Sequence, residues 1–274
     1  MNQKRKCPLC LSGDSKLIRI YQAIESSKDS RGFAQHDNIP RCISKCLSCG
    51  MVFVSNSHQV DMSNEGFKSY RPSENIEDAN FYSKERLASN HYLMKQFIKL
   101  GVNNSGNFLD FGCGYGGFLK TAENLGYEAI GIEPCMYRAD YCRKKLGTKI
   151  FSQLDHEIDY NELPKFDLVV SDQVFEHLEH PLKSLNRIVR KIKTGGHIWI
   201  CVPNWKSRLF SPSQICNTHF NYFNPRTLSK LVEKSELQIV STKILVPNHG
   251  KVFIKKFIRH IGLGSCSVLA KKIK

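Results

Sequence analysis

The chain has 274 residues, 41% of them apolar, with 40 Lys and Arg against 25 Asp and Glu for a formal charge of +15. That balance excludes a disordered, collagen-like or coiled-coil protein and predicts one large globular domain or two smaller ones. No apolar run approaches the roughly 18 residues that span a bilayer, because the greasiest stretch, Ile198 to Val202, stops at Pro203. The charged amino terminus runs into Cys7 without an apolar leader, so the protein is expected to be cytoplasmic. The excess charge is uneven: residues 206–274 carry 13 basic and 2 acidic groups, whereas residues 108–205 are nearly neutral. A solvated basic face, an anionic substrate, a membrane surface and nucleic acid all remain open as reasons for it.

Eleven cysteines in a reducing compartment argue for a metal rather than for disulfides. Cys7-Pro8-Leu9-Cys10 and Cys46-Leu47-Ser48-Cys49 are two C-x-x-C knuckles, each able to present two thiolates on one tight turn to a tetrahedral ion. This is the spacing of a zinc ribbon, with Cys7, Cys10, Cys46 and Cys49 as ligands of a structural Zn2+. Cys42 is left as a spare. The 35 residues between the knuckles exceed the usual interval of about 15 to 20, which predicts a polar excursion over Ser26 to Asn38. A linker follows from Ser55 to Glu77. A helix is expected next, since Leu87, Met94, Phe97 and Ile98 share one face and Gly101 can end it.

From Asn107 onward, strand-like and helix-like segments alternate. Phe108–Phe111, Glu128–Ile132, Phe166–Ser171 and His197–Val202 read as strands, and Phe118–Leu125, Met136–Leu146 and Leu182–Ile192 as helices. This βα alternation predicts a parallel, doubly wound sheet, closed by a helix over Arg226–Ser235 and strands over Gln238–Leu245 and Ser267–Lys272. Asp110-Phe-Gly-Cys-Gly-Tyr-Gly-Gly117 lies at the first strand–helix junction. Gly112, Gly114 and Gly116 let backbone approach a ligand there, and helix amides point toward it. Glu133, 23 residues beyond Asp110 and at the end of the next strand, can accept both hydroxyls of a ribose. Together they mark a site for an adenosine-type cofactor. Gly112, Gly114 and Gly117 also satisfy the dinucleotide pattern, so spacing alone does not separate a nicotinamide cofactor from S-adenosylmethionine.

The resemblance to a known family extends beyond the glycines. Asp110-Phe-Gly-Cys-Gly-Tyr-Gly resembles the first motif of class I S-adenosylmethionine-dependent methyltransferases, Phe166-Asp-Leu-Val-Val-Ser-Asp-Gln-Val-Phe-Glu-His-Leu-Glu-His-Pro181 their fourth-strand segment, and Gly195-Gly196 to Asn204 their fifth. His219-Phe-Asn-Tyr-Phe-Asn-Pro225 before a helix is similar to the ubiquinone-type and sugar-modifying branch. The paired knuckles resemble the zinc region of deoxysugar C-methyltransferases. The resemblance implies a Rossmann-like, seven-stranded doubly wound sheet preceded by a small zinc ribbon. It implies a zinc-ribbon domain over 1–58, a linker and helix over 59–104 and a cofactor-binding domain over 105–274. It also turns the cofactor reading from nicotinamide to S-adenosyl-L-methionine.

Such an enzyme receives its methyl group already activated and must hold the acceptor in line, exclude water and remove a proton. Hydroxyl and carbon acids need a base near neutral pKa, for which histidine is the simplest choice. By resemblance His177 takes that role, with Glu176 orienting or sharing it, while His219 and Tyr222 come from a second loop over the acceptor. Ser171 and Gln173, at the end of the fourth strand, are expected to touch the cofactor through backbone groups, and Tyr70 to cover it. The acceptor expected first is a sugar or nucleotide-sugar of surface polysaccharide or secondary-metabolite synthesis. A polyprenyl-quinone or lipid, a ribosomal RNA base and a non-catalytic zinc-ribbon adaptor are the alternatives. Lys251 to Ile261 is a basic amphipathic segment that could rest on an anionic membrane or cover the sheet.

Overall fold

A computed structural model describes residues 4–21, 40–56, 82–205, 218–245 and 264–274. The excursion Ser26 to Asn38, nearly all of the linker with Tyr70, and the segment Lys251 to Ile261 lie outside the described residues. Among those described, no helix is long and apolar enough to cross a membrane.

The amino-terminal part is a small antiparallel sheet of β1 (Ser15–Tyr21), β2 (Arg41–Cys46) and β3 (Val52–Val54). Helix α1 (Lys84–Lys99) follows, capped by the Ser83 side chain on the Arg86 amide. Gly101, at φ +93°, takes the left-handed turn just beyond its end. The main sheet is then laid down by β4 (Gly106–Phe111), α2 (Gly117–Asn124), β5 (Tyr127–Ile132), α3 (Met136–Leu146) and β6 (Lys149–Phe151). β7 (Phe166–Asp172), α4 (Pro181–Arg190), β8 (Ile192–Pro203), the two-residue β9 (Asn221–Tyr222), α5 (Pro225–Glu233), β10 (Leu237–Leu245) and β11 (Ser265–Lys272) complete it.

Seven of these strands form one sheet in the order β10-β11-β8-β7-β4-β5-β6. Pairings from β8 through β6 are parallel, and β11 inserts antiparallel between β8 and β10. The middle strands are apolar along their length because helices cover both faces. Alternate residues feed two cores. Leu109, Phe111, Val169, Ile198, Ile200 and Val202 pack on one side with α4 and α5. Phe108, Leu168, Val170, Trp199 and Cys201 pack on the other with α1, α2 and α3. Pro181 opens α4, and Asn224 and Thr227 cap α5 reciprocally, the arrangement that fixes a helix start.

One pairing is not visible in the local pattern. β9 adds to β3 as an antiparallel edge, Val52 opposite Tyr222 and Phe53 opposite Asn221. The segment after β8 thereby completes the amino-terminal sheet. Cys7, Leu9, Cys46, Met51 and Phe53 are also members of the core that Leu228, Leu231 and Val232 of α5 share with the main sheet. Among the described residues, the amino-terminal sheet and α5 thus share one core.

Candidate active site

The strand order reverses between β4 and β7, so the loops leaving their carboxyl ends diverge and open a crevice, the usual ligand position in such sheets. On the β4 side the chain turns through Gly112 (φ +82°) and Gly114 (φ +55°). A Cβ on Gly112 would stand 2.2 Å from Val174 Cγ2, so this position admits no side chain. Gly116 (φ +79°) precedes α2 and packs against Cys142 and Leu146. Among the three expected glycines, Gly116 lines neither cavity of the crevice; its service is to the turn and to helix packing.

Glu133 ends β5 and is 4% exposed. Its two carboxylate oxygens accept the amides of Gly114 at 2.9 Å and Cys135 at 3.0 Å, and Arg138 Nη1 lies 3.9 Å away. Burial raises its pKa, while Arg138 and the two amides oppose the rise. Each oxygen retains a lone pair, so two hydroxyls can still be bound. Arg138, on α3, is turned inward toward Glu133 and over the Tyr115 ring, 5.5 Å from its centroid.

Asp110 and Asp172 end adjacent strands and face one cavity of about 250 Å³ together with Arg86 and Asn90. Burial, and then the neighbouring Asp172 and Glu133, hold the Asp110 carboxyl well above the ordinary carboxylate range. Burial also raises Asp172. Two desolvated carboxylates at a strand switch favour a cationic ligand, since positive charge relieves both terms. Asp172 escaped the sequence reading, although the strand-end argument that singled out Ser171 and Gln173 applies equally to it. Ser171 is fully buried and donates its hydroxyl to the Phe111 carbonyl at 3.1 Å, tying β7 to β4 without reaching the crevice. Gln173, at φ +58°, lines the larger cavity and donates toward Ser265 Oγ at 3.3 Å. Tyr82 donates its hydroxyl to the Tyr115 carbonyl at 2.9 Å, so an aromatic from the start of the helical region does meet the glycine loop.

The larger cavity, about 490 Å³, runs from Gly112, Gly114 and Glu133 to Gln173 and His177. His177 closes a short 3-10 turn, Phe175–His177. Its Nδ1 lies 2.7 Å from the Thr218 carbonyl oxygen. Because a carbonyl only accepts, Nδ1 carries the proton and Nε2 is left with the lone pair. Nε2 stands 3.8 Å from Glu176 Oε1, and the His219 ring meets the His177 ring edge-on at 4.8 Å between centroids. The three expected catalytic residues are therefore brought together, but only His177 lines the cavity; Glu176 and His219 are buried behind it.

The loop bearing His219 is stitched to that turn. The Phe220 amide donates to the Glu176 carbonyl at 2.8 Å, and Asn221 Nδ2 donates to the carbonyls of Phe175 at 3.2 Å and Leu178 at 2.6 Å. Arg5, from the amino-terminal part, reaches the carbonyls of Phe220 at 3.2 Å and Val54 at 3.4 Å, Asn221 Oδ1 at 3.2 Å and the Glu179 carbonyl. Burial lowers its pKa to about 10, so it remains charged near neutrality. No sequence signal marked Arg5, because its partners lie more than 170 residues away except for Val54.

Cys7, Cys10, Cys46 and Cys49 bring their sulfurs within 4.8 Å of one another, with Cys7–Cys49 and Cys10–Cys46 each at 3.5 Å. Burial pushes up the thiols of Cys7 and Cys49, the latter to about 11. Cys46 falls to about 7, because the amides of Cys49 and Ser48 and the Cys10 thiol outweigh its burial. Four thiols so placed could hold one zinc ion. Cys42 is not among them.

The sheet order, the glycine turn and the acidic strand ends define the class I S-adenosylmethionine-dependent methyltransferase fold. The chain belongs to the methyltransferase-domain family, whose model matches residues 73–242. It is 26% identical over 147 residues to a ubiquinone biosynthesis O-methyltransferase of Aliivibrio fischeri, covering 47% of this chain and 63% of that relative's length. A malonyl-[acyl-carrier protein] O-methyltransferase of Ilyobacter polytropus is 26% identical over 186 residues, 63% of this chain and 68% of its own. Among solved structures, geranyl diphosphate C-methyltransferase from Streptomyces coelicolor superposes with a TM-score of 0.51 at 17% identity, covering 71% of this chain and 86% of that one. An S-adenosylmethionine-dependent methyltransferase from Mesorhizobium loti gives 0.51 at 14% identity, with coverages of 68% and 100%.

Proposed function

We propose that the chain transfers the methyl group of S-adenosylmethionine to an oxygen or carbon acid of a small molecule, a sugar or nucleotide-sugar being the first class to test. The carrying observation is the single cavity that joins Glu133 and the glycine turn to His177. The bound cofactor supplies an electrophilic methyl group on a sulfonium. Glu133 accepts the ribose hydroxyls, and Asp110 and Asp172 offer negative charge to the cationic amino-acid end. His177 Nε2, its tautomer set by Thr218, takes the proton of the acceptor, and Glu176 and His219 hold the ring in place. The names of two relatives, a ubiquinone biosynthesis O-methyltransferase and a malonyl-[acyl-carrier protein] O-methyltransferase, support oxygen methylation of a small acceptor group.

Calorimetric titration with S-adenosylmethionine and with NAD tests the cofactor. Tight binding of the first and none of the second is expected, and the reverse overturns the reading. Incubation with labelled cofactor and a panel of nucleotide sugars, polyprenyl quinol precursors and ribosomal RNA then tests the acceptor. Label in the sugars is expected; label in RNA alone, with binding that falls steeply with salt, would replace the small-molecule reading.

A further inference from the structure

We propose that Glu176, His177 and His219 together bind a divalent first-row metal ion in the wall of the acceptor cavity. The proposal rests on the methyl-transfer reading of that site and, where the ion is bound, puts the ion in place of His177 as the group that activates the acceptor. One ligand atom from each of the three residues lies within 4.8 Å of the others. An ion about 2.1 Å from each donor requires separations of about 3 to 3.5 Å, so the donors would draw together on binding. Glu176 and His177 come from one turn and His219 from the loop hydrogen-bonded to it, so the donor set is assembled by backbone contacts rather than by chance exposure.

Three further observations point to a ligand role. First, the bond from His177 Nδ1–H to the Thr218 carbonyl is the outer contact that ligating histidines commonly make; it fixes the ring and leaves Nε2 toward the carboxylate. Second, Glu176 is 2% and His219 9% exposed. A carboxylate at that depth is stabilised by positive charge, which an ion between two imidazoles provides. Third, two imidazoles and one carboxylate are the donor set of sites that keep positions open for other ligands. His177 is the member of the set that lines the cavity, so an acceptor held there would approach the ion from the His177 side.

An acceptor bearing an ionisable oxygen, a hydroxyl or an enol, would then reach the ion through that oxygen. Coordination lowers the oxygen's pKa, so that its proton departs to solvent or to a nearby carboxylate. In the ion-bound state His177 acts on the acceptor through the metal rather than by accepting the proton itself. The nitrogen and oxygen donors here suit manganese, iron or zinc, whereas the four thiols of the amino-terminal part select zinc. Manganese therefore separates the two sites.

The test uses the full chain with zinc supplied to the cysteine site, titrated with MnCl2 alone and followed by electron paramagnetic resonance. One bound Mn2+ per chain is expected, with affinity falling tenfold or more in Glu176→Gln and in His219→Gln. No Mn2+ bound by the unaltered protein, or unchanged affinity in both variants, overturns the proposal. Because both side chains are buried and either variant can misfold, a second measurement needs no substitution. Substoichiometric Mn2+ should broaden the imidazole proton resonances of His177 and His219 before those of the other histidines, and uniform broadening counts against the site. S-adenosylmethionine titrated into the same samples separates the two readings: cofactor binding without Mn2+ binding removes the metal and leaves the methyltransferase.

Discussion

Glu133 serves the fold, and in the proposed reading it serves the ligand as well. Its oxygens already hold the Gly114 and Cys135 amides, so Glu133→Ala removes ribose acceptors and also loosens the glycine turn. Leaving ligand hydroxyls unpaired in a buried site costs on the order of 1 to 3 kcal/mol, and S-adenosylmethionine should bind about tenfold to a hundredfold more weakly. Calorimetry finding equal affinity would remove Glu133 from the site. Asp110 makes a prediction of opposite character, about pH. Its pKa stands well above the ordinary range in the unliganded protein, through burial and then through Asp172 and Glu133. A cationic ligand favours the charged form and draws that pKa back down. Binding should therefore release protons, and affinity should rise as pH rises through the raised titration and then level off. Titrations in two buffers of different ionisation enthalpy read the proton count directly, and a count of zero would falsify the role. For His177, replacement by Ala should leave cofactor affinity nearly unchanged while methyl transfer falls by about two to four orders of magnitude. Lost cofactor affinity in that variant would mean that the ring only holds the Thr218 loop.

At the scale of elements, the amino-terminal sheet is the part whose status packing alone decides. Its cysteines and Phe53 lie in the same apolar core as α5, and β9 pairs with β3. Metal removal should therefore not melt a separate module. One zinc per chain is expected by elemental analysis, and chelation should lower the melting temperature of a single calorimetric transition. A small early transition with the main one unmoved would show two independent units. The elements legible in the sequence are those with local causes. β4 to α3 follow from apolar runs and glycines at their junctions, and the turn at Gly112, with φ +82°, calls for glycine on local backbone grounds. β9 was not legible, since two residues carry no periodicity and their register is set by a strand more than 160 positions away. Asp172, Arg138 and Arg5 were missed for a related reason: each owes its place to the residues that surround it in space. Gly116 and Ser171 show the converse, motif positions that the fold employs for packing.

At the scale of the whole molecule, the described residues of the Phe175–His177 turn, the His219 loop and the amino-terminal sheet form one connected body. Arg5 and β9 run from the cysteine-bearing sheet to the loop behind His177. This arrangement also bears on how the chain is made. The strand that completes the amino-terminal sheet is synthesised on the order of 170 residues after β3, which at ordinary translation rates is a delay of roughly ten to thirty seconds. Until then β3 presents an open edge on a growing nascent chain. The four thiols are all translated by residue 49, so an ion captured at that stage would hold the hairpin through the wait, and metal supply would govern how often a ribosome delivers a foldable product.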